Sequence, residues 1–349
     1  MTQNASKLKI ERVAPAIGVE GGWMAADITG YDPEAWQTTQ LLLNNEEVRI
    51  IFGHQRRLAF RVPPEARAGN LQLFAGAAAS NTCWLPVGEK ICEELHAVSN
   101  PAIGPDGYLY STVSGRRGEQ TEVSVVKINT LTGEALAFAT GIVNATGLAF
   151  KGETLYATSR HESSVYAIDK TGTVSVVGSG LGVATGILVA ADGALIIGNR
   201  DGQLLRLVPG SNAEEICQLP RSIAAYHMTW VSADTIALAC PTAASEDALY
   251  IVNLRGRVHQ FAYGFGRPQG ILALPDQGAL LLSASYRGRN GVLYLPLATG
   301  RPRRIIAAEG IVGLAADRAG DLYLAAPMAI FKIVADDLKR ALDRASTEE

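Results

Sequence analysis

One unit of about forty residues recurs six times after residue 97, and no other feature of the chain restricts its fold so strongly. Its core is a run of small apolar residues that opens a strand, a glycine close to that opening, and a second apolar strand after a turn. Five copies begin Ala145–Phe150, Ala184–Val189, Ala225–Trp230, Pro268–Ala273 and Ile311–Ala316; the first, Ser99–Ile103, is more divergent. The equivalent positions are Asn100, Gly147, Gly186, His227, Gly270 and Gly313, in steps of 47, 39, 41, 43 and 43 residues by subtraction. Such a period, with several short strands per unit, predicts an all-β chain built as a six-bladed β-propeller.

The ends of the repeat predict how the ring closes. Full units end in a fourth strand: Thr173–Val177, Glu214–Gln218, Arg257–Phe261 and Arg303–Ala307. The sixth stops after three strands and runs into Ala335–Asp343, which has helical spacing. Glu89–His96 resembles Glu214–Leu219, so residues 88–97 are expected to supply the missing outer strand and leave no naked edge. The expected domains are therefore 8–87, 88–334 and a helical tail, 335–349.

Composition narrows the class of partner. Of 349 residues 48% are apolar, enough for a sizeable core, and the net charge of −3 with scattered basic residues argues against nucleic acid and anionic membranes. No run of 18 uncharged apolar residues occurs, and Met1–Lys7 lacks the apolar stretch of a signal peptide, so the chain as written reads as cytoplasmic, the alternative being an extracytoplasmic protein whose sequence has been trimmed. Cys83, Cys92, Cys217 and Cys240 lack metal-ligand spacing and read as buried free thiols, a Cys83–Cys92 bridge being the alternative.

Residues 8–87 stand outside the repeat. They hold β-type runs at Met24–Thr29, Glu47–Phe52, Arg57–Val62 and Asn70–Phe74, separated by turn residues such as Gly21, Gly22, Asn44, Asn45, Pro63 and Pro64. Short strands at this spacing predict a small β-sandwich. Ile10–Gly22 with Pro15 and Gly18, then Ile28–Gly30 and Val62–Leu71, resemble the immunoglobulin-like IPT/TIG domain. That resemblance implies a spacer or interaction module and no chemistry.

In a propeller, the start of each first strand and the hairpin between second and third strands share one face around the central channel. These places hold Asn100, Asn144, Tyr226, His227, Arg267 and Gln269 at the strand starts, and Arg160, Arg200, Asp247 and Arg287 on the hairpins. They form the candidate ligand site, since binding groups favour loops on a rigid scaffold. An arginine in four hairpins suits either a repeated structural role or a ring of guanidiniums for a carboxylate or phosphate. His227 replaces the glycine of its siblings, either as a packing histidine or as a departure made for a ligand.

Thr146–Phe150, Thr154–Ala157 with Val165–Ile168, and Arg267–Gly270 resemble NHL-type six-bladed propellers and, more loosely, the gluconolactonase/senescence-marker family. The looser resemblance implies a divalent cation such as calcium in the channel, held by glutamate, asparagine and aspartate, which polarises a lactone carbonyl. The sequence departs from this at the ligand places. Ser99 and Asn100 stand where the glutamate belongs, and Ala145, Thr146, Ala184, Thr185, Tyr226 and His227 occupy the others. No nucleophile elbow, phosphate loop, zincin motif or dinucleotide-binding glycine pattern occurs. The expectation is a non-catalytic scaffold without cofactor or metal, binding a small polar or anionic ligand or a protein partner at the channel mouth. A metal-dependent lactonase is the alternative.

Overall fold

The computed structural model describes residues 7–347. The chain is mostly β, and the repeats fold as successive up-and-down antiparallel runs. The second repeat is representative: Ala145–Lys151, Thr154–Ser159, Ser164–Ile168 and Val174–Gly178 pair in that order. Their alternating apolar residues bury both faces between neighbouring runs, leaving a separate apolar cluster in each gap.

The first strands of the repeats line the centre. Ala102–Ile103, Ala145–Lys151, Ala184–Val189, His227–Ser232, Ile271–Leu274 and Gly313–Ala316 each neighbour the next, and the last neighbours the first. The recurrent glycine is what this approach demands. A Cβ on Gly147 would stand 2.4 Å from the Thr185 carbonyl oxygen, one on Gly186 2.7 Å from that of Tyr226, and one on Gly313 2.2 Å from that of Ser99. Side-chain bonds then join the same neighbours. Thr158 Oγ1 donates to Thr185 O (3.2 Å), Thr185 Oγ1 accepts from Tyr226 N (3.0 Å), and Ser283 Oγ donates to Ile311 O (2.6 Å).

One edge departs from the sequence expectation and another follows it. The outer strand expected to end at Phe261 runs from Val258 to Gly266, and Phe265 and Gly266 pair with Tyr286 and Ser285 of the fifth repeat. The fully buried Phe265 ring, 5.9 Å from that of Tyr286, holds this extension. In the sixth repeat Ala329–Ile333 pairs antiparallel with Glu89–Glu93, so a strand from before the repeats lies at its outer edge.

The front segment forms two packed antiparallel sheets. One orders Lys9–Ala14, Trp23–Thr29, Arg57–Arg61 and Ile50–His54; the other orders Cys83–Leu85, Gly69–Ala75, Thr39–Leu43 and Glu46–Val48. The single run expected over Glu47–Phe52 is thus two strands in different sheets, because the chain crosses at Arg49 after Val48 enters the core. Ile17–Gly18 pairs in parallel with Ile306–Ala307 of the fifth repeat, a contact across chain separation that periodicity does not reveal. The helix Ala335–Thr347 buries Leu338, Ala341, Leu342 and Ala345 against the same region. All four cysteines are free thiols, but only Cys240 is buried, the other three being half-buried in outer or front strands; among the described residues no helix is long and apolar enough to cross a membrane.

Candidate functional site: the channel mouth and its neighbours

Arg160, Arg200 and Arg267, from the second, third and fifth repeats, line one cavity of about 380 Å³ together with Gln269, Thr146 and Thr185. Hairpin geometry sets them there. Arg160 follows the strand Thr154–Ser159, and its guanidinium donates to Ser114 Oγ (3.1 Å) and Gly115 O (3.4 Å) of the first repeat. Burial, and then the charge of Arg200, hold the Arg160 pKa below the usual guanidinium range. Arg200 donates to the carbonyls of Ser222 (3.1 Å) and Ile223 (2.6 Å). Arg267 is exposed, sits at φ 49°, and makes no hydrogen bond or ion pair among the described residues. A cleft of about 460 Å³ continues from Arg267 and Gln269 toward Thr242 and Asn290.

The next residues inward along the same strands line a deeper cavity of about 230 Å³: Gly147 after Thr146, Gly186 after Thr185, and His227 with Asn100 and Thr229. His227 is 1% exposed, and neither ring nitrogen has a hydrogen-bond partner. Burial alone pushes its pKa down to about 3, so the imidazole is neutral.

Asn100 and Tyr226, although they line that cavity, and the remaining expected site residues are held by the protein's own groups. Asn100 donates to Ile271 O (3.2 Å) and accepts from Leu314 N (3.1 Å), bridging repeats. Asn144, buried at φ 51°, accepts from Gly118 N (2.8 Å) and donates to the carbonyls of Gly115 (3.1 Å) and Arg116 (2.9 Å), clamping the first hairpin. Tyr226 is a core residue instead of a mouth residue. Its ring packs with Ile196, Leu204 and Met228, its hydroxyl donates to Pro220 O, and burial drives its pKa up. Asp247 Oδ1 accepts from Thr242 N (3.1 Å) and Oγ1 (2.6 Å), whereas its buried Oδ2 is unpartnered. Arg287 lies over the Tyr286 ring at 5.2 Å and lines a different groove. His96 and Ser114 at the mouth escaped the sequence reading: His96 belongs to the segment before the repeats, and Ser114 precedes the arginines that drew notice.

Among the described residues neither cavity wall carries a carboxylate. Among the described residues no three His, Cys, Asp or Glu side chains cluster as metal ligands. The donors present are neutral amides, hydroxyls and an imidazole beside three guanidiniums, a set that does not fit a hard divalent cation.

No family model and no curated protein matches the chain. Solved structures do. A protein of unknown function from Bacteroides thetaiotaomicron matches at TM-score 0.57 and 12% identity, covering 95% of this chain and 99% of its own. A gluconolactonase from Xanthomonas campestris matches at 0.57 and 16%, covering 70% and 88%. An auxiliary nutrient binding protein from Bacteroides thetaiotaomicron matches at 0.53 and 10%, covering 94% and 97%. This chain shares their propeller-type fold.

Proposed function

We propose that this chain is a non-catalytic, six-bladed propeller of the NHL type behind a TIG-like sandwich, and that its channel mouth binds a small anionic ligand. The observation that carries this reading is the convergence of Arg160, Arg200 and Arg267 on one cavity whose wall, among the described residues, holds no acidic side chain. Like charges held together raise the free energy of the empty site, and a carboxylate or phosphate relieves it while taking paired hydrogen bonds from each fork. Two of the guanidiniums are held by hydrogen bonds and the third is free to close on a ligand. The likeness to nutrient binding proteins agrees with this reading. Lactone hydrolysis is the competing reading, drawn from the likeness to the gluconolactonase, and the donor set argues against it.

The test is calorimetric titration with citrate. Saturable binding is expected, weakened about tenfold or more by Arg267→Gln with an unchanged melting temperature. Undetectable binding, or EDTA-sensitive hydrolysis of gluconolactone, would refute the proposal.

A further inference from the structure

A second basic cavity, of about 350 Å³, lies where the front sandwich, the fifth repeat and the C-terminal helix meet. Six arginines line it: Arg12 from the sandwich, Arg287, Arg289, Arg303 and Arg304 from the fifth repeat, and Arg344 from the helix. Among the described residues no acidic side chain does, although the whole chain is net acidic.

Structural duties account for part of this set. Arg303 donates to Ala345 O at the end of the helix, where a cation also meets the negative end of the helix dipole. Arg304 donates to Asn290 O (3.0 Å) and Trp23 O (2.9 Å), joining fifth repeat to sandwich. Burial, and then the charge of Arg289, bring the Arg304 pKa down to about 10, with Glu309 opposing. Arg289 and Arg344 have no such duty: both are exposed, and neither side chain makes a hydrogen bond or ion pair among the described residues. The floor between the charges is apolar, with Pro15, Pro302 and Ala341, so the positive field is screened by little local polarity.

We infer that this junction groove is an anion site distinct from the channel mouth, and that it takes a linear oligophosphate. Several guanidiniums in so small a space call for a ligand with several negative charges, and tetrahedral phosphates accept the paired N–H groups of an arginine fork. The cavity accommodates a short phosphate chain and is too small for a folded partner. Because its walls come from three parts of the chain, the occupied groove binds those parts together and raises the unfolding temperature.

Sodium tripolyphosphate is the probe, with the full chain. One equivalent is expected to bind with strong salt dependence and to raise the melting temperature. The double variant Arg289→Gln/Arg344→Gln should fold normally, since neither side chain bonds to the protein, and bind at least about tenfold more weakly. Arg267→Gln should leave tripolyphosphate affinity at this groove unchanged, which separates the result from citrate binding at the mouth. Absence of binding, or binding that survives the double variant but falls with Arg267→Gln, overturns the inference.

Discussion

Asn100 Oδ1 accepts the Leu314 amide at 3.1 Å, so the first repeat is fastened to the sixth by a side chain at the centre of the ring. The other end of the same amide donates to Ile271 O of the fifth repeat at 3.2 Å. The strand Glu89–Glu93, paired with the sixth repeat and continuous with the first, already ties the two ends together, and this asparagine adds a second fastening at the centre.

Asn100→Ala removes both bonds and leaves their partners unsatisfied in a part-buried place. Unfolding in urea should show a loss of about 2–3 kcal/mol. A change within 0.5 kcal/mol, about the scatter of surface substitutions, would mean that the ring does not depend on this asparagine.

Gly313→Ala places a methyl group 2.2 Å from Ser99 O, which is backbone and cannot swing aside. The expected cost is about 1–3 kcal/mol, read as a lowered urea midpoint with an unchanged slope. Gly152→Ala is the control, since its Cβ meets nothing within 4 Å; its φ of 57° still carries the backbone cost of a left-handed alanine. Gly313→Ala should be the more damaging of the two.

His227 gives the fold a pH dependence of known sign. Its pKa is about 3 in the fold against 6.5 as an unperturbed side chain. Above pH 6.5 both states are neutral and this group contributes nothing that varies. Below it the unfolded chain takes up a proton that the buried ring refuses, so stability falls as pH drops toward 3, by up to about 1.4 kcal/mol per unit. His227→Leu should flatten the stability profile between pH 4 and 6.5 relative to the parent; parallel profiles would show that the ring is protonated in the fold.

Asn144→Gly keeps a residue suited to φ 51° but deletes the clamp on Gly115, Arg116 and Gly118. Those residues adjoin Ser114, which accepts from Arg160. Citrate affinity should fall together with a stability loss of about 2 kcal/mol. Unchanged affinity alongside the stability loss would separate the hairpin from the ligand site.

Much of the architecture was legible because strand period and turn chemistry are local properties. The forty-residue spacing outlined the repeats, and the likeness of Glu89–His96 to Glu214–Leu219 drew attention to a strand that lies against Ala329–Ile333. The junction was not legible. Ile17–Gly18 meets Ile306–Ala307 across nearly the whole chain, and two residues carry too little pattern to announce a strand. Nor could the sequence divide Glu47–Phe52, since both sheets accept the same residue types.

Period and turn chemistry alone establish a mostly β chain of repeats in which hairpin arginines recur. The packing of repeats, sandwich and helix sets Arg160, Arg200 and Arg267 around one cavity and Arg287 with Arg289, Arg303, Arg304 and Arg344 around another. It also decided that Asn100, Asn144 and Tyr226 spend their polar atoms on neighbouring backbone. The reason is that periodicity states which residues occupy equivalent places within a repeat. What each equivalent residue faces depends on its neighbours in the ring, and at the fifth repeat those neighbours are the sandwich and the helix.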